Sequence, residues 1–257
     1  MTVEELTRPV VRRVLGIEVL LVLGLSLGRS AVYALVEIVA RVTAAVPLSK
    51  QTATLNQTQS ARPYLDLTYQ LLGIFFALLP VLLAVHLLAR DPGDPARTLG
   101  VDLRRPGRDL AWGAGLAALI GLPGLALFWA AAQLGINATV VPAGLRHLWW
   151  AVPVLILAAV QNAVLEEVIV VGYLVTRLRQ LQWRLGAVVA ASAVLRGSYH
   201  LYQGFGAFLG NAVMGVIFSL FFLRTRRVLP LIVAHTLLDV VAFVGYALLP
   251  RHLFTWL

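Results

Sequence analysis

Cysteine is absent from the 257 residues, which excludes disulfides, thiolate zinc sites and a cysteine nucleophile together. Lysine is nearly absent as well, with Lys50 standing alone beside twenty arginines. That bias is the one expected of a GC-rich bacterial genome. Charge of either sign is scarce: Asp, Glu, Lys and Arg make up 13% of the chain, where a soluble domain carries about 25%. A chain so poor in charge cannot cover a soluble surface of its size.

What fills the sequence is apolar. Hydrophobic residues reach 60% and the mean hydropathy is +0.84. Several runs exceed the roughly 18 residues that a membrane-spanning helix needs. The expected fold is all-α: a polytopic transmembrane bundle of about seven spans, or eight with an interfacial or re-entrant helix. It reads as one membrane domain over 1–257, with motif-free front helices at 1–148 and a motif-bearing core at 149–250.

The spans read as 14–40, 65–88, 112–134, 149–181, 185–202, 206–223 and 229–249. The first is too long for the apolar core of a signal peptide. Before it, Thr2-Val3-Glu4-Glu5 has capping-box spacing and suggests a short interfacial helix. Gly24-Leu25-Ser26-Leu27-Gly28 inside it resembles a nucleophile elbow, but that motif needs a strand-turn-helix setting. Close helix packing through Gly24 and Gly28 is the expected role. Residues 41–64 read as a polar loop, Pro80 as a kink, and Gly121-Leu122-Pro123-Gly124 as a break in the third span. Trp149-Trp150 reads as an interfacial aromatic pair. Gly206 and Gly210 are spaced for tight packing.

The formal net charge of +9 could suggest nucleic acid, but its placement says otherwise. With the N-terminus inside, fourteen arginines fall on inner segments and five cations on outer ones. This is the positive-inside pattern, so the N-terminus is expected to be cytoplasmic in a cell membrane, with anionic lipid as partner and no nucleic acid.

The apolar runs are interrupted at a few places. Glu166 and Glu167 lie side by side in the fourth span; Arg196 and His200 are four apart in the fifth, His235 and Asp239 four apart in the seventh. Residues at i, i+4 share one helix face. A charged group at mid-bilayer costs about 2.5–3.5 kcal/mol even on lenient scales, so these side chains must face one another, water or a metal. Structural ion pairs, a helix-packing pair and an ion-coupled relay would each account for part of the set. A zincin His-Glu-x-x-His is absent, and Asp239 is the only deep aspartate, which excludes a two-aspartate protease. No serine has a rhomboid-type setting.

The arrangement resembles a known family. Glu166-Glu167 with Gly172-Tyr173-Leu174, then Tyr199-His200-Leu201-Tyr202-Gln203-Gly204, then His235-Thr236-Leu237-Leu238-Asp239 is similar to the CPBP intramembrane peptidases, the CAAX-prenyl-protease and bacteriocin-processing family (type II CAAX prenyl endopeptidases). The resemblance covers about 150–245. It implies water attack on a peptide bond inside a membrane cavity, with a peptide or lipidated peptide as substrate. It further implies Glu166 as general base, His200 as its partner at the water, His235 as oxyanion donor, and Asp239 in a place some members fill with Asn. Glu167 belongs to the same motif.

Members are often labelled metalloproteases, so Zn²⁺ held by Glu166, Glu167, His200 and His235 is the implied cofactor, if any. Two positions depart from the family pattern: Glu-Glu-x-x-x-Arg has Val171 at the Arg position, and Phe-x-x-x-His has Arg196 at the Phe position. Arg196 is expected to supply from the opposite helix the cation that helix four lacks. A non-proteolytic scaffold or bacteriocin self-immunity member, and less readily an ion-coupled transporter, are the competing functions.

Overall fold

The structure is a computed structural model, and it describes residues 9–146 and 148–248. The capping-box segment at Thr2–Glu5, Arg8 and Arg251 lie outside them. The described residues are predominantly helical. In order they form α1 (Pro9–Gly24), α2 (Leu27–Val42), β1 (Thr52–Thr54), α3 (Pro63–Ala77), α4 (Leu79–Leu88), α5 (Pro95–Leu99), α6 (Pro106–Gln133), β2 (Thr139–Val141), α7 (Ala151–Glu166), α8 (Leu174–Gln180), α9 (Leu185–His200), α10 (Phe205–Thr225) and α11 (Leu229–Leu248). A π-helical segment, Glu167–Tyr173, joins α7 to α8.

Five helices are long and apolar enough to cross a membrane, six if the bent pair α1–α2 is one span. The outward faces agree: Leu20, Leu82, Leu122 and Val241 are each more than 60% exposed, which suits lipid rather than water. The expected seven spans differ by α9, which has only 16 residues. It need not meet lipid all round, because it packs between α2 and α10 and buries Arg196, Ser192 and Tyr199.

Ala151–Gln180 is the axis of the bundle. Of its most apolar window 61% is buried, against 11–39% for the other spans. One apolar core, running from Leu15 through Val22, Leu88, Leu99, Ile169 and Phe218 to Ala234, surrounds the π segment. Front and back helices therefore share it.

Three sequence expectations are corrected. The Gly24–Gly28 stretch is not a packing contact: a Cβ on Gly24 would meet nothing within 4 Å, and one on Gly28 would press on the chain's own Leu23. Instead the helix breaks there, with α1 and α2 at 56°, and the buried Ser26 hydroxyl donates to Val22 O at 2.6 Å. The third span is unbroken, because Pro123 is accommodated inside α6. Of the two tryptophans, Trp149 is 77% exposed while Trp150 is 2% exposed, so only the first is placed as an interfacial anchor. Gly206 and Gly210 do pack tightly, against Ala131, Asn137 and Leu127. The chain also changes helix at Leu78, two residues before Pro80.

The connections between α2 and α3 and between α6 and α7 carry a feature the sequence reading left as loop. β1 and β2 pair in parallel, Thr52 opposite Thr139 and Thr54 opposite Val141. Their Thr and Val residues suit strand geometry. Segment 136–138 then ties this sheet to the far end of α9: Ala138 N–H donates to Gln203 O at 2.9 Å and Phe205 N–H to Ile136 O at 3.0 Å. The side chain of Asn137 accepts from the Gly206 and Ala207 amides, capping α10 from a distant segment. Gly204 has φ +124° there, with Asn137 where a Cβ would stand, so no other residue fits this corner.

At the opposite end two arginines act as clamps. Arg177, 1% exposed, donates to Glu18, Asp91, Gln180 and Leu87 O, joining α1, α4 and α8. Arg227 donates to Asp109 at 2.6–2.7 Å and to Asp102 at 3.2 Å, fixing the α10–α11 turn to the start of α6.

Candidate active site

The paired carboxylates lie where α7 passes into the π segment. Adjacent residues on an α-helix point about 100° apart. A π turn closes i→i+5 bonds and holds more residues, so neighbouring side chains diverge less and both carboxylates face one site. Four β-branched residues in a row, Val168-Ile169-Val170-Val171, disfavour a regular helix here. The wide turn is held from another helix by Ser192, fully buried on α9, which donates to Val170 O at 2.9 Å, and from its own helix by Thr176, which donates to Gly172 O at 2.6 Å. Gly172 leaves room for Leu99 and Val228, into which a Cβ would intrude.

Glu166 and Glu167 are unequal. Glu167 is fully buried, and its Oε1 accepts from Arg196 Nη2 at 2.5 Å and from His235 Nδ1 at 2.7 Å. Glu166 keeps 11% of its side chain exposed. Its Oε2 accepts from the Tyr199 hydroxyl at 2.7 Å and from Arg196 Nη1 at 3.4 Å, and lies 4.0 Å from His235 Nε2. Glu167 is thus the anchored carboxylate and Glu166 the accessible one.

Arg196 holds both. It is 0% exposed, rests over the Phe218 ring at 5.4 Å and packs against Gly215. A guanidinium shared between two buried carboxylates leaves one net negative charge where two would stand. The ion pair expected from sequence, with the cation on the opposite helix from the motif's Arg position, is present in the structure. Gly215 makes it possible, since a Cβ there would lie 2.8 Å from Ala193 Cα and 3.3 Å from Arg196 Cδ. Gly215→Leu should therefore push α9 from α10 and displace the guanidinium. The expected cost is about 1–3 kcal/mol, read as a lowered thermal midpoint in detergent, whereas Gly107→Leu, facing open space, should change little.

His235, 6% exposed, bridges the set. Its Nδ1 faces Glu167, and its Nε2 faces the space between Glu166 and Asp239, 3.7 Å from Asp239 Oδ1. Asp239 in turn accepts from Asn162 Nδ2 at 3.4 Å. His200 sits at the rim of the group, with Nδ1 3.0 Å from Arg196 O. A carbonyl only accepts, so Nδ1 carries the hydrogen and Nε2 is left with a lone pair. His200 is near enough to interact electrostatically with Glu166 and His235.

The helix lengths show how His200 and His235 reach the same level. Ala151–Gln180 spans 30 residues, about 45 Å, well over the roughly 30 Å hydrocarbon core. The α10–α11 turn meets it part-way along, where a Cβ on Gly172 would stand 3.1 Å from Val228 Cγ2. Residues 173–180 therefore run on past that turn by about 12 Å. His200 is 15 residues from the start of its helix and His235 only six from the start of its own, and this overhang absorbs the difference.

Glu166, Glu167 and His235 present donor atoms within 4.8 Å of one another and by distance could hold a metal ion. His200, counted with them from sequence, is not in that group. The bonding pattern does not fit a divalent cation. Glu167 Oε1 is already shared by Arg196 and His235, and the same guanidinium contacts Glu166. A metal placed between these oxygens would sit against a permanent positive charge.

Two partners escaped the sequence reading. Asn162 lies one turn before Glu166, on the same face, and its spacing was the available signal. Tyr199 stood inside a recognised motif, but nothing in the sequence indicates that its hydroxyl bonds Glu166. Glu167 Oε2 and Arg196 Nε are buried without a protein partner, the kind of gap that ordered water fills.

The site thus gathers two carboxylates, an arginine and His235 inside a helical membrane bundle, with His200 and Asp239 beside them. Residues 148–241 match the family model described as Type II CAAX prenyl endopeptidase Rce1-like. The match takes in α7 through most of α11, and so all five candidate residues. No curated protein and no solved structure matches the chain.

Proposed function

We propose that this protein is an intramembrane endopeptidase that hydrolyses a peptide bond in a peptide or lipidated-peptide substrate. The observation that carries the reading is the inequality of the two glutamates. One is fully buried between Arg196 and His235, and the other keeps 11% of its side chain exposed and is bonded through Oε2 alone, by Tyr199 and Arg196. A purely structural ion-pair cluster has no need of the exposed one.

In this mechanism a water lies between Glu166 and His200 Nε2. Glu166 takes its proton as the oxygen attacks the substrate carbonyl. His235, carrying a proton on each ring nitrogen, donates from Nε2 to the developing oxyanion. Glu167 orients His235 through Nδ1. Collapse of the tetrahedral intermediate expels the amine, which takes the proton held by Glu166. Asp239 faces the same Nε2 at 3.7 Å. An ionised carboxylate beside an oxyanion opposes it, so Asp239 acts as a positioning residue for His235, tied back by Asn162. Arg196 fills the role of the arginine that Val171 displaces.

The inner and outer segments follow from the arginine distribution: a cytoplasmic N-terminus in a cell membrane, with anionic lipid at the inner face. The test is purified protein in liposomes against quenched S-farnesylated and N-acylated peptides. Cleavage of at least one is expected, at a single bond by mass spectrometry. A protein that leaves every peptide intact is a scaffold or self-immunity member. The ion-pair geometry adds a second expectation, that prior treatment with a strong chelator leaves the cleavage rate unchanged within about twofold, because Arg196 already neutralises the carboxylates a metal would need. Loss on chelation, restored by Zn²⁺, would contradict it.

A further inference from the structure

Each strand of the small sheet has an outer edge, and that of β1 forms a wall of a cavity of about 640 Å³. Pairing with β2 engages Gln51 and Leu55: Thr139 N–H donates to Gln51 O at 2.9 Å and Leu55 N–H donates to Val141 O at 2.8 Å. Backbone groups of alternate residues point to opposite sides of a strand. Thr52 and Thr54 therefore direct theirs away from β2. Their carbonyls are met only by side chains, Thr52 O by Arg41 Nη1 at 3.4 Å and Thr54 O by Gln57 Nε2 at 3.2 Å. Both bonds are long for N–H···O, and both side chains line the cavity.

The cavity and the site share a residue. The cavity's far wall includes Tyr199, whose hydroxyl holds Glu166 at 2.7 Å. It also contains Arg29, near the start of α2, which forms no ion pair or hydrogen bond with any described residue. Arg29 is exposed, and its guanidinium can pair with a carboxylate. A bare strand edge is in the same way a template for another strand.

We propose that an extended peptide adds to the free edge of β1 as a third strand, its backbone replacing Arg41 and Gln57 on Thr52 and Thr54, with a carboxylate of the peptide on Arg29. Its chain then continues past Tyr199 to Glu166. This rests on the peptidase reading and names how that substrate is held. Main-chain pairing gives affinity with little demand on sequence, and alternate side chains enter the cavity.

The test is an N-methyl scan of the backbone of a cleaved peptide. Each methyl removes one amide donor. Sensitivity should alternate with period two: KM rises about tenfold where the amide faces β1 and stays near unchanged at the residues between. A flat profile, or one without alternation, overturns the inference while leaving the peptidase reading intact. Replacing the peptide's acidic groups by amides should raise KM in the wild type and not in Arg29→Gln; equal effects in both overturn the role of Arg29.

If no peptide is cleaved, the peptidase reading fails on its own account. The strand is then judged by amide hydrogen exchange of the Glu166→Gln protein with the S-farnesylated peptide. Slowed exchange at Thr52 and Thr54 supports it, and unchanged exchange overturns it.

Discussion

Arg196→Phe should lower stability by about 3–5 kcal/mol, the cost of leaving buried carboxylates without their cation. The substitution restores the residue of the family's Phe-x-x-x-His motif, so it is conservative by family pattern and drastic by geometry. Glu166 and Glu167 both bond the guanidinium, and the surrounding wall is Phe218, Gly215 and the β-branched π segment. None of these can take its place. Adding Val171→Arg puts a cation back at the family's own position, one turn along the helix from Glu167. The double variant should regain most of the lost thermal stability and, with it, cleavage. If it regains nothing that the single change removed, Arg196 is not a relocated form of that arginine. Arg196→Lys should fall between, since an ammonium keeps the charge and loses the fork that spans both carboxylates.

Glu166→Gln and Glu167→Gln should differ in kind. The first removes the accessible carboxylate that takes the proton of water, and the expected loss in kcat is about 10²–10⁴-fold. Its fold should survive, since Tyr199 and Arg196 lose only one oxygen's charge at a side chain that is 11% exposed. The second breaks a fully buried junction between Arg196 and His235, and should show first as a drop in thermal midpoint, with activity following the folded fraction and the position of His235. Circular dichroism melts set beside initial cleavage rates separate the two. Equal melting and equal rates for the pair would mean that the two carboxylates are interchangeable, which their partners argue against.

Much of this site was legible in the sequence because ionisable groups in apolar runs are few and costly. Five of them, in order and spacing, identified the helices that converge, and Arg196 opposite the glutamates followed from the two departures at 171 and 196. What stayed hidden depends on how helices sit against one another. The π turn has no Pro or Gly at its start to announce it. Its stabiliser, Ser192, lies on another helix. Tyr199 donates to Glu166 across 33 residues, a pairing that no local period encodes. The bend at Gly24–Gly28 was read as packing because small residues serve both purposes, and only the open space around Gly24 decides between them. The β1–β2 pair escaped because three-residue strands whose partners lie 87 residues apart leave no local pattern of alternation.

The most direct test of a water-activating Glu166 is peptide cleavage in H₂¹⁸O, followed by mass spectrometry of the new C-terminus. The wild-type protein is expected to place one ¹⁸O in that carboxylate, and Glu166→Gln at equal folded fraction is expected to yield almost no labelled product. Labelled product from Glu166→Gln at the wild-type rate would contradict the assignment of the accessible glutamate as the base.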